Sequence, residues 1–419
     1  MALFVDETPA DEPSLAPVKE KEVIMAEPRI RVGVDVGSAS HHVGIACPEG
    51  NILEEFDISH DQEGFGDFFD RIERQRETLG LPVSVAMESY NGHVRPLDQM
   101  VLDREYPLYN VNNLKLARFR EMFPGAAKND PLDTRNILKM SYLNDQLLIA
   151  RGVLQLVPNV PEENKKLKRL SRRRRHLVDE KVRVENRLKS DLSAVCPELS
   201  SITCSVDNLW FLRFISSRKD LRKLAGMRQD SLLSIPGVGK KYAGAVQEWQ
   251  KQAKFSAEVT YVGPMIIADA KRLLEIKEQV ADLDKAMEPI AEKSDLARLT
   301  GSIPGFGKTT STVLAGEIGT MDRFDSEASL ALYLGMCPLD NKSGKFKGTK
   351  APRHVNRRCK AAMMTAVAQH VRFVPQSKAY YDKKRGEGKK HNQAIRCLGR
   401  HLVRVIWSMI EQGREYELR

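Results

Sequence analysis

Ile30-Arg-Val-Gly-Val-Asp-Val-Gly-Ser38 decides how this chain is read. Ile30–Val36 has the composition of a β-strand, and Gly37-Ser38 ends it. Asp35 lies among small and branched residues, where a carboxylate buried without a partner is costly. It therefore calls for a cation. Outward from this stretch, Val43–Cys47 and Ile52–Ile58 read as two more strands after short turns. A helix over about 63–78 and a strand at Val83–Glu88 come next. A helix near 93–103, a strand at Pro107–Val111 and helices over 113–122 and 131–147 complete the segment.

The order β-β-β-α-β-α-β-α is that of an RNase H-like (RuvC-like) α/β domain. In such a sheet the first strand lies beside the later strand, and the last helix packs over both. Asp35, Glu88 at the end of Val83-Ser-Val-Ala-Met-Glu88, and Asp130 and Asp133 in Lys128-Asn-Asp-Pro-Leu-Asp133 then converge. Four carboxylates do not stay ionised together without cations, so convergence implies Mg²⁺ or Mn²⁺. Two such ions clamp a phosphodiester and polarise its attacking and leaving oxygens. Singly, each acid has a plainer reading: Asp130 and Asp133 as caps of a helix, Glu88 as a solvated strand end.

The 419 residues are 42% hydrophobic and 29% charged, enough for two or three domains with real cores and too apolar for a disordered chain. No apolar run approaches the ~20 residues of a membrane span, and mean hydropathy is −0.40. The N-terminus is acidic and Pro-rich, unlike a secretory signal, and residues 1–29 read as a disordered tail. The six cysteines form no CxxC pair and read as reduced cytosolic thiols. Net charge is +10, but it is unevenly spread. Residues 165–189 carry an excess of +9 and residues 340–404 one of +15, which leaves the remainder at −14. Two concentrated basic surfaces on an otherwise acidic chain suit a nucleic-acid partner.

Residues 163–195 read as a long helix with Leu167, Leu170, Leu177, Val184, Leu188 and Val195 along one seam. Residues 265–298 read as another, with Leu273, Ile276, Val280, Leu283, Met287 and Ile290. Steps of three and four favour a coiled coil, either an intramolecular hairpin or a dimer. A short repeat accompanies these helices: Ser234-Ile-Pro-Gly-Val-Gly-Lys240 returns as Ser302-Ile-Pro-Gly-Phe-Gly-Lys308. Ile-Pro-Gly-x-Gly is the hairpin of a helix-hairpin-helix, whose glycines bring backbone N–H groups to a phosphate. Gly237, Gly239, Lys240, Gly305, Gly307 and Lys308 are the candidate contacts, together with Arg172, Arg173, Arg174 and Arg175. The second copy is not a P-loop, because Ser302 stands where glycine is required.

The second basic region runs from Leu332-Tyr-Leu-Gly-Met-Cys-Pro338 into Asn341-Lys-Ser-Gly-Lys345 and then Pro352-Arg-His-Val-Asn-Arg-Arg358. Ser343 sits in a glycine-bearing loop among Lys342, Lys345 and Lys347, with Arg353, Arg357 and Arg358 following. A serine hydroxyl among cations is placed to meet a phosphate, as a contact or as a nucleophile. Tyr380 and Tyr381 are rival nucleophiles.

Taken together, the acids, the basic coiled coil, Ile-Pro-Gly-x-Gly and Leu-Gly-x-x-Pro…Ser-Gly…Asn-Arg resemble one family. It is the DEDD transposases of bacterial insertion sequences, the IS-one-ten (IS110) group of bridge-RNA-guided serine recombinases. The resemblance covers about 30–412. It implies that Asp35, Glu88, Asp130 and Asp133 form a metal-binding tetrad and that Ser343 forms a phosphoserine link to DNA. It implies a composite site, a dimer-of-dimers assembly on target and donor DNA, and a non-coding guide RNA in the bacterial cytoplasm at the nucleoid. The expected domains are 30–155 (RuvC-like), 160–298 (coiled coil with a helix-hairpin-helix insertion at 200–262) and 299–413 (helical serine transposase domain). Two other readings compete. One is a RuvC-like endonuclease using metal-activated water; the other is a non-catalytic nucleic-acid-binding scaffold.

Overall fold

A computed structural model describes residues 27–88, 96–122, 130–146, 153–343, 346–350, 352 and 355–418. The tail before residue 27, Lys345 and Arg353 lie outside these residues. The chain divides at Asn159 and Val160 into two compact units. No described helix is long and apolar enough to cross a membrane.

The first unit is a mixed α/β domain. Its strands are β1 (Ile30–Val36), β2 (Ser40–Ala46), β3 (Ile52–Ser59), β4 (Val83–Glu88), β5 (Leu108–Val111) and β6 (Gln155–Leu156). They form one sheet in the order β3-β2-β1-β4-β5-β6. β1 pairs antiparallel with β2 and parallel with β4. The order is the RNase H-like one anticipated above, except that β6, too short and polar to stand out in the sequence, adds an edge after the last helix. Helices α1 (Gln62–Leu79), α2 (Leu97–Asp103), α3 (Asn113–Glu121) and α4 (Asp130–Gln146) accompany the sheet.

Strand pleating sorts the two faces. Ile30, Val32, Val34, Val83, Val85 and Met87 share a core with Phe65, Phe68 and Phe69 of α1. Gly33, Gly44 and Ala86 belong to the opposite face, where α4 packs. A Cβ at Gly44 would lie 2.9 Å from Leu138 Cδ1 and from Thr134 Cγ2. One at Gly33 would lie 3.0 Å from Leu138 Cγ and 3.2 Å from the Thr134 carbonyl. The glycines therefore let α4 lie directly on the sheet. Arg31 fastens its far end: buried, it donates from Nε to Asp145 at 3.0 Å and from Nη1 to the Pro48 carbonyl at 3.0 Å.

The second unit is helical. α5 (Glu162–Val195) and α10 (Val259–Lys293) lie antiparallel within the chain, so the seam closes as a hairpin. Arg174–Asp284, Glu180–Arg272 and Arg187–Asp269 pair along it, one number rising as the other falls. α10 starts earlier than the pattern suggests, running through Pro264, and stops earlier too. Ser294 ends it by capping a separate helix, α11 (Asp295–Gly301), accepting from the Ala297 N–H at 3.1 Å.

Between the long helices stand α6 (Pro197–Ser201), α7 (Leu209–Ser216), α8 (Gln229–Leu233) and α9 (Lys240–Gln250), with Trp210, Phe211, Phe214 and Trp249 in their core. After α11 come α12 (Lys308–Ile318), α13 (Glu327–Tyr333), strands β7 (Leu339–Ser343) and β8 (Phe346–Lys350), then α14 (Arg357–Phe373), α15 (Pro375–Gly386) and α16 (His391–Gln412). The expected loop around Ser343 is thus corrected to an antiparallel pair of strands. Only two residues separate them, a connection length common in hairpins.

α12 crosses α5 at Gly316, where a Cβ would lie 2.5 Å from the Lys168 nitrogen. Gly244, on the exposed side of α9, has nothing within 4 Å. We expect Gly316→Ala to lower the melting temperature by forcing backbones apart. Gly244→Ala should raise stability by about 0.5–1 kcal/mol through lost chain entropy. Thermal unfolding of the two variants checks both signs.

Candidate active site and nucleic-acid interface

Asp35 lies near the C-terminal end of β1, and Glu88 ends β4. The parallel register pairs Val34 with Met87, so the next step sets Asp35 beside Glu88. Alternation from Gly33 and Ala86 turns both toward the α4 face, and both are half-buried. Asp133 sits in the first turn of α4, next to the Thr134 carbonyl that touches the Gly33 position, and is buried. Its ion-pair partner is Arg120 of α3. Three of the four acids are thus carried to the same side of the sheet, near its α4-covered corner. The Asp130 side chain is not among those described, although α4 begins at that residue. Among the described residues no three acidic, histidine or cysteine side chains are gathered closely enough to hold an ion. The donors at the corner are carboxylate oxygens throughout, which fits a hard divalent cation.

Ser343 is the last residue of β7 and pairs in register with Phe346. Lys342 stands opposite Lys347 in the same register. Directly opposed like charges destabilise an antiparallel pair, so this end of the hairpin favours an anion. Side chains of this hairpin are not described beyond their register.

The hairpin leads to Asn356, which the sequence motif contained, and to Glu317, which sequence reasoning missed. Glu317 is 1% exposed. Arg172 donates to it from Nε at 2.7 Å and Nη2 at 2.8 Å, and Asn356 Nδ2 donates at 2.8 Å. Burial pushes its carboxyl up, yet the Arg172 and Asn356 hydrogen bonds and the Arg172 charge leave it below the ordinary glutamate range. Asn356 also caps α14 through the Arg358 and Cys359 N–H groups. A signal for Glu317 existed: it is the single acid in a small-residue helix.

The basic run of α5 is divided by this packing. Arg172 and Arg174 turn to Glu317 and Asp284, while Arg173 and Arg175 are exposed. The two Ile-Pro-Gly-x-Gly copies share backbone shape, with φ of 93° at Gly237 and 88° at Gly305. Their settings differ. A Cβ at Gly305 would lie 2.4 Å from the His370 nitrogen, so the second hairpin is pressed on α14. Arg213 Nη1 and His370 Nδ1 hydrogen-bond to the Pro236 and Pro304 carbonyls at 3.0 and 2.6 Å. Gly239 and Gly307 have open space around them, Lys240 is exposed, and Lys308 pairs with Glu288. Tyr380 and Tyr381 bond to His401 and His391 at 2.9 and 2.8 Å.

Comparison with known proteins gives this arrangement a family. Residues 32–197 match the DEDD transposase model of the IS110 type, and residues 297–382 match the transposase model of the IS116/IS110/IS902 family. The chain belongs to the IS110 family of transposases. It is an enzyme acting on DNA. A protein of insertion element IS110 from Streptomyces coelicolor is 25% identical over 93% of this chain and 95% of its own length. A pilin gene-inverting protein of Moraxella bovis is 29% identical over 30% of this chain and 41% of its own length. The structure of T. thermophilus RuvC in complex with a Holliday junction substrate aligns with 31% of this chain and 99% of that one, at 12% identity and a TM-score of 0.23.

The low carboxyl of Glu317 makes a pH signature. A depressed folded value means stability present at neutral pH and lost as pH falls below the ordinary 4.5 toward the folded value. Glu317→Gln should cost about 2 kcal/mol at neutral pH. Its melting temperature should then fall less steeply than the parent's below that point.

Proposed function

We propose that this IS110-family transposase is an RNA-guided DNA recombinase, in which Ser343 attacks DNA with the help of a divalent-ion site built on Asp35, Glu88, Asp130 and Asp133. The observation that supports the reading is that Asp35 and Glu88 share the sheet face on which α4, with Asp133 in its first turn, packs. Mg²⁺ or Mn²⁺ bound there supplies positive charge to phosphate oxygens as the bond order at phosphorus changes.

The protein's own part begins with the Ser343 hydroxyl at the end of β7. Its oxygen attacks phosphorus and gives up its proton; one P–O ester bond breaks, and the released sugar oxygen takes up a proton. The product is a phosphoserine ester that keeps the energy of the broken bond. Attack by the hydroxyl of a second strand reverses the step and joins new partners. Lys342 and Lys347, opposed across the hairpin, favour the phosphate in this position. The name of the Moraxella relative, which inverts a gene, is in keeping with rejoining of strands. Guide RNA pairing and assembly as a dimer of dimers complete the proposal, with the protein holding backbones and base pairing choosing the sequence.

The test incubates the protein, RNA transcribed from its element and labelled target DNA with Mg²⁺, then denatures the mixture. A protein–DNA adduct lost in both Ser343→Ala and Asp35→Ala is expected. Normal cleavage by Ser343→Ala would favour an endonuclease using activated water. Full activity in Asp35→Ala would remove the carboxylate site from the mechanism, and binding without any cleavage would leave a scaffold.

A further inference from the structure

A cleft of about 540 Å³ lies inside the second unit, between α5, α10, α12 and α14. Arg174 and Arg175 line it from α5, and Arg357 and Arg358 from α14. Among the described residues Asp179 is the one acid on its wall, paired with Arg175 at 3.0 Å. Thr309 and Thr310, in the first turn of α12, close another side.

The placement of Arg357 and Arg358 breaks a local rule. They occupy the first two positions of α14, at the positive end of a helix dipole, and that turn contains no acid. Cations there are electrostatically unfavourable. The first turn of α12, which faces the same cleft, also contains no acid. Glu317 is committed at the cleft's edge: Arg172 and Asn356 take its oxygens, while Arg358 stands 4.0 Å away. Two positive helix ends and four arginines therefore border one hollow. Although Arg174 and Arg175 are paired with Asp284 and Asp179, the two cations at the start of α14 remain in conflict with the helix dipole. Conflicts of this kind cluster at functional sites.

We infer that this cleft holds the sugar–phosphate backbone of one single strand of nucleic acid. Three features select that ligand. The charge is complementary to phosphate, and arginine forks and threonine hydroxyls donate to its oxygens. The volume is that of a small-molecule site and admits one or two nucleotides, not a duplex. The rest of the described wall mixes apolar Met287, Val313 and Ala361 with hydroxyls and the single imidazole of His176, and it includes no Phe, Tyr or Trp as a broad base-stacking platform. Binding is therefore independent of sequence. The inference rests on the reading of the chain as an enzyme acting on DNA, and deepens it by naming where a strand is gripped.

The test uses the full chain and short labelled oligonucleotides of mixed sequence, single-stranded DNA and single-stranded RNA, with EDTA to prevent cleavage. Fluorescence anisotropy across a salt series gives affinity and salt dependence. The double variant Arg175→Ala/Arg357→Ala should bind about tenfold more weakly and lose about 1.4 from the slope of log affinity against log salt. The strand type showing the larger loss is the one the cleft holds. Lys251→Ala/Lys254→Ala removes two exposed charges from the inserted segment and should change neither quantity appreciably. An equal loss in that control would overturn the site, as would wild-type binding by the cleft variant or a strong base preference. Circular dichroism confirms that both variants fold. If the parent protein binds no oligonucleotide, the broader reading fails; if the parent binds and the cleft variant binds equally, only the cleft fails.

Discussion

In both units a helix comes close to its neighbour because glycine leaves the space, filled by Leu138 and Thr134 of α4 in the first unit and by the Lys168 backbone in the second. Gly33 and Gly44 let α4 rest on the sheet, and Gly316 lets α12 cross α5 at Lys168. Close packing turns this absence of a side chain into a positional constraint, because protein interiors do not yield by even a methyl group without strain. The proposed chemistry inherits it. The height of α4 above β1 and β4 decides how near Asp133 comes to Asp35 and Glu88. The crossing of α12 over α5 decides whether Glu317 reaches Arg172.

Charge is then used to lock what the glycines permit. The Arg31–Asp145 pair joins a buried arginine to a largely covered aspartate, and breaking such a pair costs up to about 3–5 kcal/mol even where the intact pair adds little net stability. Its value lies in fixing one placement of α4 over others. Glu317 does the same for the second unit, joining α5, α12 and the capping residue of α14 through one carboxylate. The ladder Arg174–Asp284, Glu180–Arg272 and Arg187–Asp269 sets the register of the long antiparallel helices. Much of the basic charge that looked available for nucleic acid thus serves inside the unit.

The duplicated hairpin illustrates how one sequence takes two settings. Both copies need glycine at positive φ, and both proline carbonyls accept a side-chain hydrogen bond. The copy at 302–308 is wedged against His370, while the copy at 234–240 has more room around its first glycine. Identical local chemistry therefore does not imply identical exposure.

By itself, the sequence determined the strand and helix order of the first unit as far as α4, the two long helices, both hairpins and the face on which Asp35 and Glu88 stand. These follow from alternation, apolar spacing and the special demands of glycine and proline, which are local properties. Tertiary structure alone decided the rest. Ser343 ends a strand because β7 and β8 pair, although Asn341-Lys-Ser-Gly-Lys345 resembles a loop. The coiled coil closes within one chain, because a polar ladder and the inserted helices give both long helices a shared core. The same packing separated the arginines: Arg172 and Arg174 pair with acids of α12 and α10, whereas Arg175 pairs within α5 with Asp179 and, with Arg357, lines a cleft. Whether a cation is a structural partner or a hand held out to phosphate depends on which carboxylate folding brings beside it, and the order of residues does not state that distance.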